Sequence, residues 1–209
     1  MKILASLIVA AGLLASGFAS GEELRAGVYS LRTVAGADLD HRKVYVAVNG
    51  TEVSGFFDNP LTTPAANNPD RDPTCRFLLK GSRTAAGDLK FATSFAGERG
   101  ASIDVKARGQ GTWSVHVDGD LPNCEVPTVD SGDWLTLESE RHWIGFARIA
   151  SVRAPLLNAP RADARSKAYL VRNDVVAILE RSGDWVKIDY FQRGGELLRW
   201  VRESDLSGE

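Results

Sequence analysis

Lys43-Val44-Tyr45-Val46-Ala47-Val48-Asn49-Gly50-Thr51-Glu52-Val53-Ser54-Gly55-Phe56-Phe57 decides the fold class. Two runs rich in β-branched and aromatic residues flank Asn-Gly, a pair that tolerates the two positive φ angles of a type I′ turn and so matches the twist of paired strands. The segment predicts a β-hairpin turning at Asn49-Gly50, its first strand alternating in and out. Asn49-Gly50-Thr51 also fits the N-glycosylation pattern, but the turn explains these residues without a sugar. Further strand-like runs lie at 76–80, 89–95, 102–106, 113–117 and 134–137, punctuated by glycine pairs or Gly-Asp. Helical periodicity is nowhere sustained, so the chain reads as all-β, beginning with an antiparallel barrel or sandwich.

Composition narrows the function classes. The 209 residues are 44% hydrophobic and 25% charged with a formal net charge of -2, an ordinary globular balance. Coating a nucleic-acid duplex requires a clear basic surplus to release counterions, so no nucleic-acid partner is expected. Two cysteines and three histidines exclude a cysteine-rich metal framework, and no metal or cofactor is expected. Charge is unevenly spread: residues 21–140 carry 12 basic against 18 acidic side chains, and residues 141–209 carry 12 against 9. This asymmetry, with turn-rich stretches at 126–133 and 154–166, predicts two units with a boundary near residue 140.

Residues 1–20 read as a secretory signal peptide. Lys2 is a positive start, 3–14 is an apolar run, and small residues surround a cut near Ala19-Ser20-Gly21. A retained anchor fits less well, because the uncharged stretch contains three glycines and no basic stop-transfer cluster follows it. No transmembrane segment is expected in the mature chain, which is placed in the periplasm or outside the cell. In that oxidising setting Cys75 and Cys124 are expected to form a disulfide; closing a loop of 49 residues would contribute about 4 kcal/mol in the chain-entropy picture. The alternative makes Cys75 a nucleophile with His116 or His142 as base.

From about His142 to Leu206 the chain carries an ordered set of motifs: Phe146-Ala147-Arg148-Ile149-Ala150-Ser151-Val152, a long loop through Pro155 and Pro160, then Tyr169-Leu170-Val171-Arg172-Asn173-Asp174-Val175-Val176-Ala177-Ile178-Leu179. Gly183-Asp184-Trp185-Val186-Lys187-Ile188-Asp189-Tyr190 and Arg199-Trp200-Val201 complete it. This third of the chain resembles the bacterial SH3-like (SH3b) domain, which implies a small barrel of five short strands. Two positions depart from that pattern. Asn173 stands where a glycine usually precedes Asp174, and asparagine can adopt left-handed geometry. Arg199 stands where a glycine usually precedes Trp200, so the last strand is expected to enter its turn differently. The earlier part, with Val53-Ser54-Gly55-Phe56-Phe57, Phe77-Leu78-Leu79-Lys80-Gly81 and Gly111-Thr112-Trp113, more loosely resembles small β-domains of exported bacterial proteins of unassigned function. That likeness implies a fold type and no catalytic residue.

Alternation in the second unit supports a barrel without the resemblance: Val186, Ile188 and Tyr190 alternate with Lys187 and Asp189, and Ser182-Gly183-Asp184 supplies the turn before them. A fragment from Arg141 onward is expected to fold alone, with marginal stability at that size. Chemistry is sparse. Asp70-Arg71-Asp72 and Asp118-Gly119-Asp120 lack the rest of a calcium loop, and no nucleophile elbow, zinc-protease helix, phosphate loop or dinucleotide fingerprint occurs. No catalytic residue is assigned. The expected function is a non-enzymatic envelope binding protein whose SH3-like domain engages protein or cell-wall (peptidoglycan) peptide, with Tyr169, Trp185, Tyr190 and Trp200 as aromatic contacts and Arg193 and Arg199 as partners for carboxylates. The competing expectations are an inhibitor or immunity-type protein of a secreted enzyme, using the proline- and asparagine-rich stretch 59–74, and an envelope hydrolase.

Overall fold

The computed structural model describes residues 23–33, 41–59, 76–85, 87–94, 100–121, 128–191 and 196–207. Eight strands come first: β1 (Gly27–Arg32), β2 (Lys43–Asn49), β3 (Glu52–Asp58), β4 (Phe77–Arg83), β5 (Leu89–Ser94), β6 (Ser102–Gly109), β7 (Thr112–Asp118) and β8 (Trp134–Glu140). Each pairs antiparallel with the next, and β8 returns to β1 to close a barrel. The strand expectations hold with small changes of boundary, and β1 is an addition. Its alternation, Val28 and Ser30 against Tyr29 and Leu31, is too short to stand out from the sequence before it.

The leading hairpin forms, with its turn moved by one residue. Asn49 stays in the ladder opposite Glu52, which leaves Gly50-Thr51 as the loop. Only Gly50 of these has a positive φ, 62°, the pattern of a type II′ turn. Val44, Val46, Val53 and Phe57 point into the barrel, where they join Tyr29, Phe77, Phe91 and Trp113. The rings of Phe57 and Phe77 stack at 4.9 Å. A space of about 10 Å³ among Val44, Val46, Phe91, Val115 and Leu135 is at the threshold for a single water. Among the described residues the barrel interior is a packed core. Its outside on β6 and β7 carries Asp104, Lys106, Ser114 and His116, the reverse of the apolar exterior and polar lumen of membrane-spanning barrels.

An ion pair lies inside the barrel. Arg42 donates to Asp133 through Nη1 at 2.8 Å and Nη2 at 3.3 Å, and the two side chains are 4% and 1% exposed. Arg42 also donates to the Thr128 carbonyl, and Asp133 accepts the Asp130 N–H at 2.9 Å. This pins the chain entering β2 to the chain entering β8. Burial raises the Asp133 carboxyl above its ordinary range, against the lowering effect of Arg42.

The second part is one seven-stranded antiparallel sheet: β9 (Gly145–Ile149), β10 (Arg153–Leu157), β11 (Arg165–Val171), β12 (Val175–Ser182), β13 (Trp185–Asp189), β14 (Leu198–Arg202) and β15 (Leu206–Ser207), in the order β11-β10-β14-β13-β12-β9-β15. A single-turn 3-10 helix at Glu203–Asp205 precedes β15. Inward residues from six of these strands, including Ile149, Leu156, Leu170, Ile178, Ile188 and Val201, meet in one core, so the sheet curls around them. The expected loop through Pro155 is instead β10. Pro155 pairs with Tyr169 on β11, while the bond to β14 is confined to Leu157, so the missing proline N–H costs no ladder bond on that side. The long run 169–179 splits into β11 and β12 at Asn173, which takes φ 73°. Arg199 has no such strain; it sits inside β14 as ordinary strand.

The two sheets meet through their outer faces. Tyr45, Ala47, Phe56 and Leu78 on the outside of β2–β4 pack against Phe146, Val175, Ala177 and Leu179 of β9 and β12. Phe191, just past β13, is the hub: its ring lies 4.5 Å from Tyr45, 5.3 Å from Trp143, 5.8 Å from Phe146 and 6.1 Å from Phe56. The Val48 N–H donates to the Trp143 carbonyl at 3.1 Å across the same seam. Burial pushes the Tyr45 phenol up to about 12.

Candidate binding surface

The second sheet's outside has two uses. Outer residues of β9 and β12 are spent on the barrel. The other strands turn Tyr169 (β11), Arg153 and Pro155 (β10), Trp200 and Arg202 (β14), and Trp185 and Lys187 (β13) away from the barrel, while Asp189 at the end of β13 is buried at the seam. This assignment follows from register, because Ala154, Leu156, Leu170, Val186 and Val201 on the same strands face the core.

Three of the predicted residues thus share a face. Tyr169 is 46% exposed, and Arg153 lies over its ring at 3.6 Å. Trp185 is half-buried, with the guanidinium of Arg202, its partner across the ladder, 4.8 Å from the ring. Trp200 pairs with Lys187, which makes it the diagonal neighbour of Trp185. Guanidinium groups over exposed rings hold those rings in place and leave N–H edges free for an anionic or carbonyl group. The sequence reading named the rings but not Arg202, the ladder partner of Trp185, or Arg153, the diagonal neighbour of Tyr169.

The other predicted residues are placed differently. Arg199 pairs with Ile188 on the core-facing side, opposite to Trp200; its Nη1 donates to the Leu198 carbonyl at 2.7 Å, and its buried Nε has no partner among the described residues. Tyr190 is half-buried against the inner core and lines a cleft at the β11 edge. Arg193 lies outside the described residues, as do Cys75, Cys124, the stretch 60–74 and the predicted signal peptide.

Of the residues weighed for catalysis, His116 and His142 are described: His142 is exposed just before β9, and His116 Nδ1 lies 3.2 Å from the Ser131 hydroxyl, which also bridges the Val117 backbone. No carboxylate orients that imidazole in the hydrogen bonds of the described residues. Asp118 ends β7, and Gly119 at φ 97° bends the chain ahead of Asp120. Among the described residues no three or more His, Cys, Asp or Glu side chains converge on a metal site, and no helix is long and apolar enough to cross a membrane. A second cleft, about 580 Å³, runs along the seam between β3–β5 and β9, edged by Lys80, Glu52 and the Arg181–Glu203 ion pair.

No protein-family model, curated protein or solved structure matches this chain.

Proposed function

We propose that this is an exported, non-enzymatic binding protein of the bacterial envelope, in which the second unit is an SH3-like domain that engages protein or cell-wall peptide. The observation that carries the reading is that Tyr169, Trp185 and Trp200, two of them with an arginine over the ring, share the outer face of strands left uncovered by the barrel. Rigid rings beside cations are the groups that dominate binding energy at protein surfaces. The filled interior of the first barrel supports the same assignment, since it leaves the exterior as the place for a ligand. On this reading the barrel is a rigid platform that covers one side of the second unit and fixes the orientation of the other.

The test is co-sedimentation of the full mature chain with purified cell wall, together with capture from an envelope extract. Trp185→Ala with Trp200→Ala is expected to lower retention by about tenfold or more, a loss of roughly 1.4 kcal/mol or above, at unchanged circular dichroism. Retention that survives both substitutions, or no retained ligand at all, overturns the proposal.

A further inference from the structure

Among the described residues the second sheet does not close on itself: β11 is bonded to β10 alone and β15 to β9 alone, which leaves two edges. β15 is two residues long, but β11 runs for seven and presents the exposed side chains of Tyr169 and Val171. A long edge with apolar side chains is what proteins ordinarily shorten or cover, because its free backbone groups can pair with another strand.

A cleft of about 560 Å³ lies beside this edge, within the range of about 300–1,000 Å³ usual for ligand sites. Leu156 and Leu170, both buried in the inner core, form its floor, and Tyr190, Glu196 and Leu197 line it from the β13–β14 side. A further strand beside β11 would lie over that floor. The charged side chains among the described lining residues are both carboxylates, Asp174 and Glu196. Asp174 Oδ2 accepts the Val171 N–H at 2.9 Å and so fixes the end of the edge. Glu196 is half-exposed, with Arg141 Nε 3.6 Å away.

We infer that this cleft is a strand-addition site for an extended segment of a partner protein that alternates apolar side chains and carries a lysine or arginine. Backbone pairing with β11 gives affinity, alternate side chains pack against Tyr190 and Leu197, and the cation meets Glu196 and Asp174 beside the ring of Tyr190. A second copy of the chain fits poorly. Its own β11 arrives with β10 bonded alongside, whereas the cleft is bounded on its far side by Tyr190, Glu196 and Leu197. The inference goes beyond the exposed ring face and does not depend on it.

The probes are synthetic nonapeptides of alternating valine and threonine with a central lysine, the same peptide with glutamate in its place, and two lysine peptides N-methylated on one or the other set of alternate amides. With the full mature chain, the lysine peptide is expected to bind at least tenfold more tightly than the glutamate peptide, and one N-methylated set is expected to abolish binding while the other is tolerated. Bound peptide should slow amide hydrogen exchange across residues 165–171. Glu196→Gln should weaken the lysine peptide about threefold or more and leave the glutamate peptide unchanged. Equal binding of lysine and glutamate peptides, indifference to N-methylation, or protection mapped away from β11 overturns the inference. So does edge protection that appears without peptide and grows with protein concentration, which would make the occupant a second copy. Failure of every peptide, with an envelope ligand still held through Trp185 and Trp200, overturns the cleft and leaves the reading of the ring face standing.

Discussion

The indole Nε1 of Trp143 donates a 3.0 Å hydrogen bond to Oδ2 of Asp189, and both side chains are buried where the barrel meets the second sheet. Asp189 Oδ1 has no hydrogen-bond partner among the described residues. Burial raises the carboxyl above its ordinary 3.8; Trp143 and Arg141 pull it down, and Glu196 pushes it up. A raised carboxyl binds its proton more tightly in the folded chain than in the unfolded one, so folding stability falls as pH climbs from the ordinary value through the raised one. Asp189→Asn keeps an acceptor for the indole and removes the ionisation. The variant is expected to lose that part of the pH slope, so that wild type compares best with it at low pH and worst at neutral pH. Urea unfolding at a series of pH values checks this; parallel curves contradict it.

The buried pair in the barrel should behave oppositely in single and double variants. Arg42→Met leaves the Asp133 carboxylate buried without its guanidinium, at an expected cost of about 3–5 kcal/mol. Adding Asp133→Leu removes the orphaned charge and should recover a large part of the loss. Chemical denaturation of the single and double variants measures the coupling, and simple additivity would contradict the arrangement described.

The seam between the sheets predicts opposite effects in whole and part. Phe191→Ser or Phe146→Ser in the full chain removes ring contacts of the shared cluster and should cost roughly 2 kcal/mol. An isolated fragment of residues 141–209 keeps its own inner core but exposes Trp143, Phe146 and Phe191, so it is expected to bind a hydrophobic dye and self-associate, and the same substitutions should improve its solubility. Calorimetry of the full chain is expected to show one transition. Two separated transitions would mean that the seam is weak.

Asn173, at φ 73°, joins β11 to β12 and donates its N–H to the Ile149 carbonyl at 2.9 Å. Asn173→Gly should change stability by no more than a few tenths of a kcal/mol, while Asn173→Val should cost about 1–2 kcal/mol because a β-branched residue resists left-handed geometry. Thermal unfolding of the pair checks it; equal midpoints would place the turn elsewhere.

Much of the fold was legible because strand alternation and turn residues are local. The Asn-Gly hairpin and β5 to β8 follow from neighbours in sequence, whereas the break at Asn173 was signalled only by its place in the SH3-like pattern. The seam was less visible, yet it had a signal. Val44 to Val48 and Val175 to Leu179 are unbroken apolar runs, and a strand that is apolar on both faces is covered on both faces. Reading 43–48 as simple alternation hid the outer role of Tyr45 and Ala47. The rings of the candidate surface could be named from composition, but which of them face out depends on register. Arg199 and Trp200 are adjacent in sequence and therefore opposite in the sheet.

The split of the seam along the chain bears on the order in which the protein can mature. Tyr45, Ala47, Phe56 and Leu78 all precede the last strand of the barrel, whereas Phe146, Val175 and Phe191 all follow it. A chain emerging N-terminus first can complete the barrel at Glu140 with that patch still bare, and the patch stays adhesive until Phe191 has been delivered. Exposed apolar surface on a partly made chain is where aggregation begins. The interval between those two residues is thus the vulnerable period of its biogenesis, when a holding chaperone would have most to protect.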